Sequence, residues 1–181
     1  MKLARSKSPA FLAAFAAIFL AVASLFALPD YTLTGDGVRV RTVGVAKIEV
    51  YRISHYMDKL PPTRSRQAVI DMDTGKKFVW TMLRDVDRGS IVKALRDAYA
   101  MNDYTDATKI GRFVSAFERD LKAGAEVTIE YDPRAKATTV TVAGGGTATV
   151  GGLDFMKATW RIWLGKIDQP QLGDQLIARL P

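Results

Sequence analysis

The chain has 181 residues, 48% apolar and 25% charged, a composition that fits one globular domain and not a disordered chain. It contains no cysteine, which excludes disulfides, thiolate catalysis and cysteine-ligated zinc or iron–sulfur centres. Of its formal charge of +7, three units come from Lys2, Arg5 and Lys7; the remaining 23 basic and 19 acidic side chains form no basic run interleaved with stacking aromatics, so no nucleic-acid partner is expected.

Residues 1–8 are basic and lack acids, and the nineteen residues from Ala10 to Leu28 carry no charge. A charged start followed by an apolar run is the pattern of an export signal, with Ala21-Val22-Ala23 and Leu25-Phe26-Ala27 as cleavage sites. The same run is long enough to serve as an uncleaved membrane anchor. The reading is therefore a signal peptide or N-terminal anchor over 1–27 and a single domain over 28–181, exported to the periplasm, soluble after cleavage or held at the inner membrane.

In the domain, Val38 to Val45 and Ile48 to Met57 alternate as two strands of a hairpin turning around Gly44-Val45-Ala46-Lys47. Gln67 to Asp73 and Lys77 to Arg84 read as a second hairpin through Asp73-Thr74-Gly75-Lys76. Ser90 can cap a helix that runs to about Met101 with Ile91, Leu95 and Ala98 on one face. Thr105 can cap the next, whose stripe Ile110, Phe113, Val114, Phe117 and Leu121 ends at Gly124 as a C-terminal glycine. Glu126 to Tyr131, Ala137 to Ala143 and Thr147 to Val150 are short strands; a helix carrying Phe155, Met156, Trp160 and Trp163 and a last one carrying Leu172, Leu176 and Ile177 close the chain. Strands and helices fall in blocks, which predicts an α+β domain: an antiparallel sheet of about seven strands covered by helices on one face.

Little of this looks like chemistry. His55 is the only histidine, too few for a zinc site, and reads as structural. Asp71 and Asp73 read as solvated surface; Gly144-Gly145-Gly146 lies between strands without the lysine of a phosphate loop and reads as a turn. Trp160 and Trp163 either pack the core or line a cleft. No catalytic residue, metal ligand or cofactor is assigned. The exception is the first ribbon, where Arg39 and Tyr51 lie twelve residues apart. If they face one cavity, a guanidinium fork and a phenol can together hold a carboxylate; a register shifted by two would bring Arg41 to the same place.

The order of short motifs adds to this. Gly35-x-Gly37-x-Arg39, Val50-Tyr51 and Tyr56, Lys122-Ala123-Gly124, Tyr131-Asp132-Pro133, Gly151-Gly152-Leu153-Asp154-Phe155 and Ile162-Trp163-Leu164-Gly165 follow one another in a series that resembles the chalcone isomerase-like family, over about residues 35 to 181. The resemblance implies an open-faced β-sandwich with a ligand cleft between sheet and helices. It further implies either an enzyme that closes a chalcone to a flavanone or a non-catalytic member that binds fatty acids. Of the positions the enzymes use, Arg39 matches the arginine, but Tyr51 stands where a threonine belongs, Asp85 to Leu95 supplies neither tyrosine nor asparagine, and Ile162 stands at a late hydroxyl position. An arginine with a tyrosine is the pattern of the fatty-acid-binding members. The resemblance thus implies a non-catalytic carrier of a small apolar carboxylate with Arg39 and Tyr51 at its head group; a chalcone isomerase-type lyase and an inner-membrane interaction protein with a filled cleft are the alternatives.

Overall fold

The computed structural model describes residues 30–181; the segment 1–27, expected as a signal peptide or anchor, lies outside them. Six antiparallel strands pair in sequence order: β1 (Thr32–Val43), β2 (Ala46–Met57), β3 (Lys76–Met82), β4 (Glu126–Asp132), β5 (Ala137–Val142) and β6 (Thr147–Gly151). Period-two alternation gives the sheet one apolar face. His55, Phe78, Ile129, Val140 and Ala148 form one buried rung across five strands, whereas Arg52, Thr81, Thr141 and Thr149 on the opposite face are exposed.

Among the described residues five helices are interspersed with the strands: α1 (Arg66–Asp71), α2 (Arg88–Met101), α3 (Ala107–Val114), α4 (Leu153–Leu164) and α5 (Pro170–Gln175). Helix α4 is the hub. Eight of its twelve residues are buried, Trp160 and Trp163 among them, and it touches α1, α2, α5 and β5. A helix apolar on most sides belongs in the middle of a core, not on its surface. Gly152 makes the turn from β6 into α4 with φ +113, a conformation that a side chain would strain.

The α+β expectation and the open antiparallel sheet agree with the fold, but the sheet has six strands and not seven. Residues 67–73, expected as a strand, are instead helix α1 as far as Asp71 and irregular backbone beyond it. Ser65 accepts a hydrogen bond from the Ala68 amide at its start, and Lys76 closes its end. The Lys76 ammonium, fully buried, donates to the carbonyls of Val69, Ile70 and Met72 at 2.6, 3.3 and 2.9 Å and lies 5.1 Å from the Trp160 ring centre. A cation at a helix C-terminus satisfies the carbonyls that have no intrahelical partner. The caps of α2 and α3 are Asp87 and Asp106, not Ser90 and Thr105. Helix α3 stops at Val114, so Phe117 and Leu121 reach the core from irregular backbone, Leu121 by a bridge to Val86. Gly124 occupies a turn ahead of β4 at φ +83, with its amide bonded to the Met82 carbonyl, and does not end a helix.

The last element fixes the edge of the sheet. Gly35 and Gly37 leave β1 bare where the C-terminal segment crosses it: a Cβ on Gly35 would come within 2.0 Å of the Gln175 carbonyl oxygen, and one on Gly37 within 2.7 Å of Leu172 Cδ1. The two glycines of the Gly-x-Gly-x-Arg motif therefore make room for α5, and the chain leading into α5 passes beside Arg39.

Candidate functional site

Arg39 and Tyr51 are direct cross-strand partners in the β1–β2 register. The pairing then slips: Val40 faces Glu49, which leaves Val50 as an extra residue on β2. Such a bulge bends the ribbon and re-aims its side chains, and both Val50 and Tyr51 line a cleft of about 400 Å³. The ribbon also contributes Arg39 and Arg41, so both arginines border the cleft; Arg39 is the one paired with Tyr51, and the shifted register that would have promoted Arg41 is not adopted. Trp80 of β3 lines the same space. Helix α2 presents Ile91, Leu95, Ala98 and Met101, the face its spacing predicted extended by one turn, and α4 presents Ile162 and Trp163.

The Tyr51 hydroxyl is buried and accepts a hydrogen bond from Trp163 Nε1 at 3.0 Å. An indole N–H only donates, so the phenol's own proton is free to be given to something else. Burial raises the Tyr51 pKa, against the opposing pull of the Trp163 hydrogen bond and the Arg39 charge. The group is therefore a neutral donor at any ordinary pH. Its ring stacks on Trp80 with centroids 4.9 Å apart and planes 10° from parallel.

Arg39 is mostly shielded, its side chain 20% exposed, and Nη2 lies 2.6 Å from Asp168 Oδ1. Nη1 donates to Gln169 Oε1 at 3.2 Å. The same glutamine takes the Val40 amide at 2.9 Å and gives its Nε2 proton to the Val38 carbonyl at 2.9 Å, pairing with the edge of β1 as another strand would. Asp168 and Gln169 are the site residues that the sequence reading did not find. Pro170 at the first turn of α5 marks a helix start, but nothing in the local sequence connects that start to a strand some 130 residues earlier.

The remaining candidates lie elsewhere. His55 is in the core and not at the cleft: its Nε2 accepts from Trp160 Nε1 at 2.9 Å, so Nδ1 carries the ring proton and donates to Thr34 Oγ1 at 2.6 Å. Thr34 passes its own proton to the Leu176 carbonyl at 2.8 Å. Burial, and then the charge of Lys76, lower the His55 pKa to about 3. Trp160 belongs to this core network and Trp163 to the cleft. Asp71 pairs with Lys157 and Asp73 with Lys136 at the surface. Among the described residues no cluster of histidine and carboxylate side chains could hold a metal ion.

The cleft therefore combines an apolar wall with hydrogen-bond donors at the ribbon: a guanidinium and a free phenol proton. That arrangement suits an acceptor-only group attached to an apolar body.

The family model described as Chalcone isomerase-like matches residues 15–176. No curated protein matches the chain. Among solved structures, the crystal structure of a fatty-acid binding protein from Arabidopsis thaliana superposes with a TM-score of 0.67 at 14% identity, over 83% of this chain and 88% of that one. At that identity the likeness is one of fold.

Proposed function

For a chain that belongs to the chalcone isomerase-like family, we propose the role of an exported, non-catalytic binding protein that holds a fatty acid or similar apolar carboxylate between sheet and helices. The observation that carries this reading is the direct pairing of Arg39 with Tyr51 at the cleft, where the phenol keeps a proton to donate. A carboxylate drawn from water into an apolar space needs charge-assisted partners, since an unpaired buried charge is very costly. The guanidinium fork provides two such bonds and the tyrosine a third. The tail then gains about 0.8 kcal/mol for each CH₂ it buries. The fatty-acid binding title of the fold neighbour is in keeping with this assignment. The uncharged run from Ala10 to Leu28 supports export.

The test is calorimetric titration of dodecanoate into the wild type and Arg39→Ala. Binding that weakens by about ten-fold or more in the variant, at unchanged melting temperature, supports the site. Equal affinities would sink it. Organic extraction of protein purified from the periplasm, followed by mass spectrometry, identifies the natural ligand.

A further inference from the structure

The β1–β2 ribbon outruns the sheet. Strand β2 starts at Ala46 but pairs with β3 only from Tyr51, so residues 40–49 form a free two-stranded lip. Its root borders the cleft through Arg39, Arg41, Val50 and Tyr51. Its turn carries Val45, wholly exposed, beside the exposed Ala46. Leu83, also exposed, lies at the root, its amide bonded to the Val50 carbonyl at 3.0 Å, and Met101 on the border of the cleft is 46% exposed. A lone exposed valine is ordinary, but this one sits between unmatched cations. From Gly37 to Ile48 the chain has three basic residues and no acid. The other cations bordering the cleft are neutralised: Arg39 by Asp168, Lys93 by Asp97 and Lys166 by Asp103. Arg41 and Lys47 make no ion pair among the described residues. Glu49, the first acid along β2, lies opposite Val40 and away from the turn.

We propose that this lip docks on an anionic lipid bilayer, with Val45 entering the interface and Arg41 and Lys47 on the lipid phosphates. An apolar tip between cations suits such a surface: the side chain leaves water, and each cation near the surface adds about five-fold to the partition. The tip offers no side chain that would read a fixed pattern of acceptors on a protein, only charge and an aliphatic group. The lip is continuous with the cleft, since Arg41 belongs to both, so docking brings the ribbon side of the cleft to the layer in which apolar ligands dissolve. The contact is distinct from any made by residues 1–27, and it does not depend on what the cleft carries.

The chain has no cysteine, so Val45→Cys offers one attachment point for a polarity-sensitive fluorophore. Thr149→Cys, exposed on β6 at the opposite edge of the sheet, is the control. Each labelled full chain is titrated with vesicles of phosphatidylglycerol or of phosphatidylcholine. The Val45 probe is expected to brighten and shift to the blue with phosphatidylglycerol and not with phosphatidylcholine, while the Thr149 probe stays silent. Adding Lys47→Gln should raise the phosphatidylglycerol concentration at half-maximal change about five-fold. A silent Val45 probe, equal responses to the two lipids, an equal response at Thr149, or an unmoved midpoint in Lys47→Gln overturns the proposal. A Val45 probe that responds to rising protein concentration without lipid would assign the lip to a second copy of the chain and overturn it too. Dodecanoate affinity, read by calorimetry without vesicles, stands or falls independently of these outcomes.

Discussion

Asp168 Oδ1 lies 2.6 Å from Arg39 Nη2, so the cation that faces the cleft already has a carboxylate of its own chain. Asp168 is more than half exposed and Arg39 is mostly shielded. The arginine is therefore held at the cleft by a partner that solvent can take back. On the proposed function, an incoming carboxylate would compete with Asp168 for the same guanidinium, while Gln169 steadies Nη1 from the side.

Removing that competitor should strengthen binding. A half-exposed ion pair is worth about 0–1 kcal/mol, so Asp168→Asn is expected to tighten dodecanoate affinity by up to about five-fold. The gain should be largest at low salt, where the internal pair is strongest. Calorimetry at two salt concentrations checks this; a weaker ligand affinity in the variant would mean that Asp168 supports the head group and does not compete for Arg39.

His55 makes stability depend on pH. Its folded pKa of about 3 is far below the ordinary 6.5, so on acidification the unfolded chain takes up a proton that the folded chain cannot. The stabilisation is complete above pH 6.5 and is lost as the pH falls toward 3, at up to about 1.4 kcal/mol per pH unit. Urea denaturation between pH 7 and 4 should give a steeper loss for the wild type than for His55→Gln, with carboxylate titrations common to both. Parallel curves would show that His55 does not drive the acid response.

Lys76 holds α1 to the sheet. Lys76→Met keeps much of the buried stem but leaves the carbonyls of Val69, Ile70 and Met72 without their donor. A loss of about 1–3 kcal/mol is expected, and amide exchange should accelerate first in residues 66–72. Unchanged exchange there would show that the helix end is satisfied in another way.

Most of the sheet was legible in the sequence because alternation is a local signal. Strands β2 to β6 carry it, as does β1 from Val38 on, and the hairpin turns are written in glycines and aspartates; residues 32–37 belong to β1 as well but carry no strand signal, because Thr-Leu-Thr-Gly-Asp-Gly does not alternate. The turn between β1 and β2 brings Arg39 and Tyr51 near one another on adjacent strands, but the register it sets would place Arg39 opposite Val50; the bulge at Val50, which no local signal announces, makes the pair direct. Helix α1 escaped because six residues hold less than two turns, too few for a helical period to stand out from alternation. What makes it a helix is Ser65 at one end and Lys76 at the other, and the second of these acts only after β3 has been laid in place.

The sequence by itself determined the α+β class, the buried faces, and an arginine and a tyrosine on adjacent strands, because those follow from periods of two to four residues and from turn chemistry. Only the tertiary structure decided that Asp168 and Gln169 return to Arg39, that Trp163 rather than solvent meets the Tyr51 oxygen, and that Trp80 keeps its proton unshared. Those contacts join residues that are remote along the chain, brought together when α4 and α5 close over the sheet, and neither local spacing nor composition carries a mark of them.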